Sequence, residues 1–188
     1  MGAMVRAIVA ALAGRLKEAK RGLTTLPDRR GWGESAAWAL LYFAVVAPVA
    51  LAGGLIALRA GAGAGTPTLR TVLLPFLTPA LLEEGLFRGL LLPHPATSGP
   101  TRARRAAWWA GSLVVYVAAH PLVAALMRPA ARGVFDAPDF LVAAALLGAT
   151  ATALYQRTGS LWPGVLLHGA AVATWLSLGG ALQLLPAG

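Results

Sequence analysis

Two adjacent glutamates, Glu83 and Glu84, lie inside an apolar stretch long enough to cross a bilayer, and Arg88 follows four residues after the second. On insertion scales, an ionised side chain at the centre of a bilayer costs roughly 2.5–3.5 kcal/mol. Charged residues at this depth usually face the interior of a helix bundle and pair with one another. The stretch therefore predicts a membrane-embedded helix bundle with a polar site inside it.

The composition agrees with a membrane protein. The chain has 188 residues, of which 57% are hydrophobic and only 12% are charged. This excess of apolar residues is typical of a polytopic membrane domain. The chain has no cysteine, so neither a disulfide framework nor a cysteine-ligated zinc site can form. We therefore expect an integral membrane protein surrounded by the lipid bilayer.

The apolar runs predict an all-α bundle of about five transmembrane helices. Linkers that contain glycine and proline separate these runs and are typical of loops. Residues 35–188 would form this bundle. The predicted spans are 36–58, 69–92, 106–127, 139–156 and 160–185.

Residues 1–34 form a basic arm in front of the bundle. Their apolar run at 7–14 is shorter than the roughly 20 residues that a spanning helix needs. Seven Lys and Arg residues stand against three acidic ones. We expect an amphipathic helix that lies on the anionic cytoplasmic leaflet.

The placement of the cations predicts the orientation and argues against a nucleic-acid partner. With five spans and a cytoplasmic N-terminus, eleven Lys and Arg residues fall on the cytoplasmic side and four on the outer side. This bias follows the positive-inside rule. The net charge of +9 is thereby explained by topology, and no basic surface with interleaved aromatic residues remains for nucleic acid. The composition is rich in Ala, Arg and Gly, which favours a bacterium with a GC-rich genome as the source. We therefore expect the protein to lie in a bacterial inner membrane.

The first polar position on the predicted spans is the Glu83, Glu84 and Arg88 group. Glu84 and Arg88 are four residues apart, so they share a helix face and can form an ion pair. Glu83 is turned away by about 100° and is free to face another neighbour. A purely structural clamp between helices would explain Glu84 and Arg88, but it would leave Glu83 without a role.

Two further polar positions lie on other predicted spans. Tyr116 and His120 share one face of the third span, and His168 lies on the last. Histidine titrates near neutrality and burial can tune a carboxylate into the same range, so Glu83, His120 and His168 suit general acid–base work on a water. His94 lies between two prolines, and we interpret it as interfacial and uninvolved.

The motifs resemble the CPBP family, also called ABI, of CAAX proteases and bacteriocin-processing enzymes. The resemblance rests on Glu-Glu-xxx-Arg at 83–88, aromatic-xxx-His at 116–120, and Thr-Gly-Ser-Leu-Trp-Pro at 158–163 leading to His168. It covers roughly residues 69–175. It implies an intramembrane endopeptidase of the glutamic type. The resembled family includes bacterial members, known as myxosortases, that process sorting tails.

The resemblance also implies a role for each matching residue. Glu83 and His120 would bind and activate the hydrolytic water, and His168 would stabilise the oxyanion with a fourth residue. Glu84, Arg88 and Tyr116 would support the site. Two histidines and a free carboxylate could hold zinc with an open position. Because the chain lacks His-Glu-xx-His, we favour a mechanism without a metal or other cofactor.

The chain departs from the family pattern at two positions. Tyr116 stands where the motif usually has Phe, which adds a hydroxyl near the site. Val172 stands where the family usually has Asn or Asp, and the loss of one oxyanion donor typically costs about 10²–10³ in turnover. Trp175 lies one turn beyond Val172 on the same face, so its indole N–H is a candidate replacement.

The expected substrate is a membrane-anchored peptide or protein with a lipidated tail, a leader or a C-terminal sorting tail. An alternative is a non-catalytic peptide-binding or immunity-type scaffold derived from the family, which Val172 favours. A small transporter or proton relay is less favoured, because spans 36–58 and 139–156 carry almost no polar side chains beyond hydroxyls.

Overall fold

The computed structural model describes residues 2–56 and 68–178, and within these ranges every regular element is helical, as the sequence predicts. Two π-helical segments flank the short α4: π1, Phe76–Leu81, and π2, Gly85–Leu90. A 3-10 turn, Pro129–Ala131, precedes α6. The α-helices are α1 Gly2–Thr24, α2 Arg29–Ala52, α3 Leu69–Pro75, α4 Leu82–Glu84, α5 Arg102–Leu126, α6 Arg132–Phe135, α7 Pro138–Thr158 and α8 Trp162–Ser177.

Three of these helices, α2, α5 and α7, are long and apolar enough to cross a membrane. The predicted count of five spans is not reproduced by this criterion. The predicted span 69–92 is broken at Thr78, whose φ of −142° and ψ of 116° are not helical, next to Pro79, which lacks an N–H donor. The last predicted span contains α8, which has 16 residues; positions 57–58 and 179–185 of the predicted spans lie outside the described residues.

The central helix of the bundle is α7, which packs against α2, α5 and α8. Tyr42 and Val46 of α2 meet Leu147 and Leu154 of α7 and Leu167 of α8 in one buried apolar cluster. The broken segment packs on α8 through α3 and π1. Irregular backbone at membrane depth is tolerated where protein covers it, so this packing explains how the break at Thr78 can persist.

Several helix ends meet at one end of the bundle. Asp28 caps α2 by accepting a hydrogen bond from the Gly31 N–H at 2.7 Å, so α2 begins at Arg29, seven residues before the predicted span. The end of α7 lies beside the start of α2, where Arg157 and Glu34 approach to 3.1 Å. Gly159 then adopts a positive φ of 68°, which favours glycine and lets the chain turn from α7 into α8.

Candidate active site

The centre of the site is a buried ion pair between Arg88 and Glu84. Nη1 of Arg88 lies 3.2 Å from Oε1 of Glu84, and each side chain is 1% exposed. The rest of the guanidinium is also paired: Nε donates to Oγ1 of Thr152 at 3.3 Å, and Nη2 donates to the Gly148 carbonyl at 2.7 Å. A buried charge is tolerated when it is paired and its remaining donors are satisfied, and Arg88 meets both conditions.

Thr152 and Gly148 are partners that the sequence motifs did not reveal. They lie four residues apart on α7, with Gly148 one turn before Thr152. A Cβ at Gly148 would lie 2.8 Å from Leu113 and Tyr116 and 3.0 Å from Nη2 of Arg88. The only signal in the sequence is a hydroxyl residue one helical turn after a glycine on a predicted span.

His168 connects this ion pair to the second glutamate. Its Nδ1 lies 3.0 Å from Oε1 of Glu84, and a carboxylate accepts hydrogen bonds, so Nδ1 carries the proton and donates. Its Nε2 lies 3.9 Å from Oε2 of Glu83. The sequence pattern assigned Glu84 only to Arg88, whereas the structure shows that it also orients the imidazole ring.

Glu83 differs from Glu84 because one of its carboxylate oxygens lacks a hydrogen-bond partner. Its Oε2 is buried and has no hydrogen-bond partner among residues 2–56 and 68–178. The side chain as a whole is 30% exposed, so the carboxylate lies at the edge of the packed interior. The 3.9 Å separation from His168 is too long for a direct hydrogen bond. The two atoms therefore face each other without a direct hydrogen bond.

His120 and His168 both lie beside the Tyr116 ring. The ring centroid of Tyr116 is 5.1 Å from that of His120 and 6.3 Å from that of His168, and Arg88 lies over the same ring at 4.6 Å. Nδ1 of His120 lies 3.0 Å from the Tyr116 carbonyl. Because a carbonyl only accepts, Nδ1 is the donor, and Nε2 of the neutral ring is left as an acceptor.

The predicted catalytic residues thus come from three elements: Glu83 from α4, His120 from α5 and His168 from α8. The structure brings Glu83 and His168 into direct proximity. His120 and His168 each lie within 6.3 Å of the Tyr116 ring, measured between centroids. That all three reach a common water stays a prediction.

A comparison with protein families identifies the chain. The family model described as Type II CAAX prenyl endopeptidase Rce1-like matches residues 65–174, which is more than half of the sequence and includes every candidate site residue. The chain belongs to the Rce1-like family. Searches of curated proteins and of solved structures gave no match. Family membership and the long apolar helices make it an integral membrane protein related to intramembrane proteases.

In this Rce1-like protein, two phenylalanine rings pack beside His120 and form an aromatic wall, which the sequence motifs did not reveal. The His120 ring is 5.6 Å from the Phe135 ring and 5.3 Å from the Phe140 ring, measured between centroids. Phe140 in turn lies 5.9 Å from Trp175 of α8. The two phenylalanines come from α6 and the start of α7, so long-range packing rather than local spacing assembles this wall.

Trp175 does not supply the hydrogen bond that Val172 lacks. Its indole Nε1 donates to the Leu55 carbonyl at 2.9 Å, and this contact ties α8 to the chain that follows α2. The sequence-based prediction that Trp175 replaces the missing donor is therefore wrong in this structure, because the single indole N–H is already used. Val172 leaves that position of the family motif without a side-chain hydrogen-bond donor.

His94 is buried and has a structural role. It is 3% exposed, its Nδ1 accepts from the Ala96 N–H at 3.1 Å, and its Nε2 donates to the Gly159 carbonyl at 3.0 Å. The loop thereby anchors to the turn between α7 and α8. Burial lowers the pKa of His94 below 6.5 and the nearby charge of Arg21 acts in the same direction, against opposing contributions from the Gly159 carbonyl and Glu18.

The site does not contain an obvious set of metal ligands. Among residues 2–56 and 68–178, no three His, Cys, Asp or Glu side chains are grouped so that they could hold a metal ion. The metal-free mechanism itself stays a prediction that chelation experiments can test.

Proposed function

We propose that the protein is a glutamic-type intramembrane endopeptidase that hydrolyses a peptide bond in a membrane-associated precursor. The observation that carries this proposal is the unpartnered Glu83 oxygen facing the Nε2 atom of His168 at 3.9 Å. A carboxylate with a free oxygen at the edge of a buried polar cluster is the group expected of a general base.

In the proposed reaction, Glu83 takes a proton from a water as the water attacks the scissile carbonyl. His120 helps to hold that water through its free Nε2. The proton on Glu83 then passes to the leaving amine as the carbon–nitrogen bond breaks, so that Glu83 returns to its ionised form. General catalysis of this kind contributes about 10²–10⁴-fold.

His168 is proposed to stabilise the oxyanion. Its Nδ1 donates to Glu84. An oxyanion would therefore be bound by an N–H on Nε2, the nitrogen that lies 3.9 Å from Oε2 of Glu83. A donor positioned before the reaction begins stabilises developing negative charge without reorganisation, and the Glu84–Arg88 pair provides this positioning.

The proposed substrates are a prenylated or otherwise lipidated C-terminal tail, a leader peptide, or a C-terminal sorting tail with a hydrophobic segment. The description of the matching family makes the prenylated tail the first to test. The proposed setting is a bacterial inner membrane. A cytoplasmic N-terminus is proposed with it, because eleven Lys and Arg residues fall on that side if the chain has five spans.

The test uses the full chain in proteoliposomes with one peptide of each substrate class and mass spectrometry of the products. We expect the Glu83→Gln variant to lower cleavage at least about 10²-fold while it accumulates like the parent. The matched control is Leu82→Ala, which changes the adjacent, 67% exposed residue. Zinc chelators are expected to leave the rate unchanged. Full processing by the Glu83→Gln variant would refute the proposed catalysis.

A second candidate function is a peptide-binding scaffold that does not cut. The observation that favours it is the lack of a side-chain donor at Val172, together with the engaged indole of Trp175. The same peptides distinguish the two functions. A scaffold would retain a precursor peptide on the proteoliposomes with equal affinity in the parent and in Glu83→Gln, and neither would release a fragment.

A further inference from the structure

One surface of α1 is apolar and largely exposed along the first half of the helix. Five large apolar side chains on this half are each more than half exposed, an unusual concentration for a helix surface facing water. They recur at intervals of three and four residues or lie next to such positions, so they share one broad face. These residues are Met4, Val5, Ile8, Val9 and Leu12.

The second half of α1 uses the same face to pack on the protein. Helical spacing places Ala19 on the face of Ile8 and Leu12, and a Cβ built on Gly89 of π2 would lie 3.2 Å from the Cβ of Ala19. One turn further, the Gly22 carbonyl accepts a hydrogen bond from the backbone N–H that precedes α8, at 3.0 Å. The apolar face is therefore half docked and half unoccupied within the described residues.

The opposite face of α1 is cationic. Arg6, Lys17 and Arg21 are exposed on it, and Lys20 is exposed at its border with the apolar face. The single acidic residue of the helix, Glu18, is engaged elsewhere, because it accepts from Thr97 at 2.8 Å and pairs with Arg15 at 3.2 Å. An apolar face backed by unpaired cations complements a bilayer surface that contains anionic lipid.

We propose that the first half of α1 is a docking surface for an anionic lipid leaflet. Two observations commit the proposal to lipid rather than to a protein partner: the charge complementarity, and the start of the membrane-spanning α2 at Arg29, a few residues after α1 ends at Thr24. The same helix contacts π2 beside Arg88 and the chain that enters α8. A leaflet that holds α1 therefore also holds the two segments next to Glu83 and His168, and this consequence for activity rests on the proposed function.

The absence of cysteine from the chain permits a clean test. A Leu12→Cys variant of the full chain carries one environment-sensitive fluorophore on the apolar face, and Ala13→Cys carries it on the cationic side as the matched control. Both are reconstituted in phosphatidylcholine vesicles with or without phosphatidylglycerol, and nitroxide-labelled lipids serve as quenchers. We expect a blue shift at Leu12 and at least about twofold more quenching in the anionic vesicles, with a smaller change at Ala13.

Charge variants test the role of the anionic lipid. In the Leu12→Cys background, Lys17→Gln with Lys20→Gln should remove the difference between the two vesicle types. Arg128→Gln with Arg132→Gln, at the other end of the bundle, should preserve it. These two positions lie far along the chain from α1, so they control for a general change in net charge.

Two outcomes would overturn the proposal. A label that stays in water in both vesicle types would show that the leaflet does not bind this face. Disulfide formation between two unlabelled Leu12→Cys chains, together with no lipid quenching of the labelled variant, would assign the face to a second copy of the chain. The fluorescence reports on α1 whether or not the protein cleaves peptides, so a failed protease assay with lipid quenching would refute the proposed function alone.

Discussion

Nδ1 of His168 lies 3.0 Å from Oε1 of Glu84, the same oxygen that accepts from Arg88 at 3.2 Å. One carboxylate oxygen therefore holds both a guanidinium and an imidazole inside the bundle. The neighbouring Glu83 has a buried oxygen without a partner among the described residues. Glu83 and Glu84 are chemically identical and adjacent in the sequence, but their substitution should affect the stability of the protein differently.

Neutralising the two glutamates should affect stability differently. Glu84→Gln leaves the Arg88 charge buried without its counter-ion and should cost roughly 3–5 kcal/mol of unfolding free energy. Glu83→Gln removes only the 3.9 Å approach to Nε2 of His168 and should cost less than about 1 kcal/mol. Unfolding in detergent measures both. Equal losses in the two variants would contradict this division of roles.

Arg88 should be essential for the folded protein. Arg88→Ala strands the Glu84 carboxylate in the interior and removes the hydrogen bonds to Thr152 and Gly148, at a cost of roughly 3–5 kcal/mol. The amount of folded protein in the membrane should fall. Arg157→Ala is the matched control, since it removes an arginine whose pair with Glu34 is exposed and should leave abundance nearly unchanged. An Arg88→Ala variant with the same abundance and unfolding temperature as the parent would refute the structural role of the Glu84–Arg88 pair.

Val172 should limit the rate if the protein is an enzyme. Val172→Asn introduces a side-chain donor at the position where the family normally has one, and we expect the cleavage rate to be preserved or raised, by up to about 10²-fold. Val172→Leu is the control for a change of volume without a donor. The rates are compared on the same precursor peptide. A Val172→Asn variant that folds but cleaves much more slowly than the parent would remove the proposed oxyanion role.

His94 should contribute a pH dependence to stability. Burial holds its pKa in the folded protein below the usual 6.5, so below that pH the unfolded chain binds a proton that the folded chain does not. The stability that neutral His94 contributes to the folded protein is therefore fully present above pH 6.5. It is lost as the pH falls toward the lower pKa that His94 has in the folded state. His94→Gln should show a flatter dependence of unfolding temperature between about pH 7.5 and about pH 5. Parallel curves for parent and variant would contradict this assignment.

Local patterns allowed part of the site to be predicted from the sequence. Charged residues inside an apolar stretch identified Glu83, Glu84 and Arg88, because the energetic cost of such residues in a bilayer does not depend on the fold. The i to i+4 spacing predicted the pair between Glu84 and Arg88. Thr152 could not be predicted as an Arg88 partner in the same way, because they are 64 residues apart and only helix packing brings them together.

The prediction of five spans failed in part for a related reason. Hydropathy identified the long helices α2, α5 and α7, because their apolar runs are continuous. It did not anticipate the break at Thr78 or the 16-residue length of α8. The segment α3–π1 packs on α8 from a distant part of the chain, and no property averaged along a sequence window reports such contacts.

The sequence by itself determined the helical class and the membrane setting, and it predicted which residues are candidates for the chemistry. These follow from composition and local spacing, whose physical effects act on each segment separately. Only the tertiary structure decided that His168 contacts both glutamates, that Trp175 is committed to Leu55, and that α1 packs beside Gly89. Each of these depends on which helix faces lie against each other, and that choice is made by the packing of the whole bundle at once.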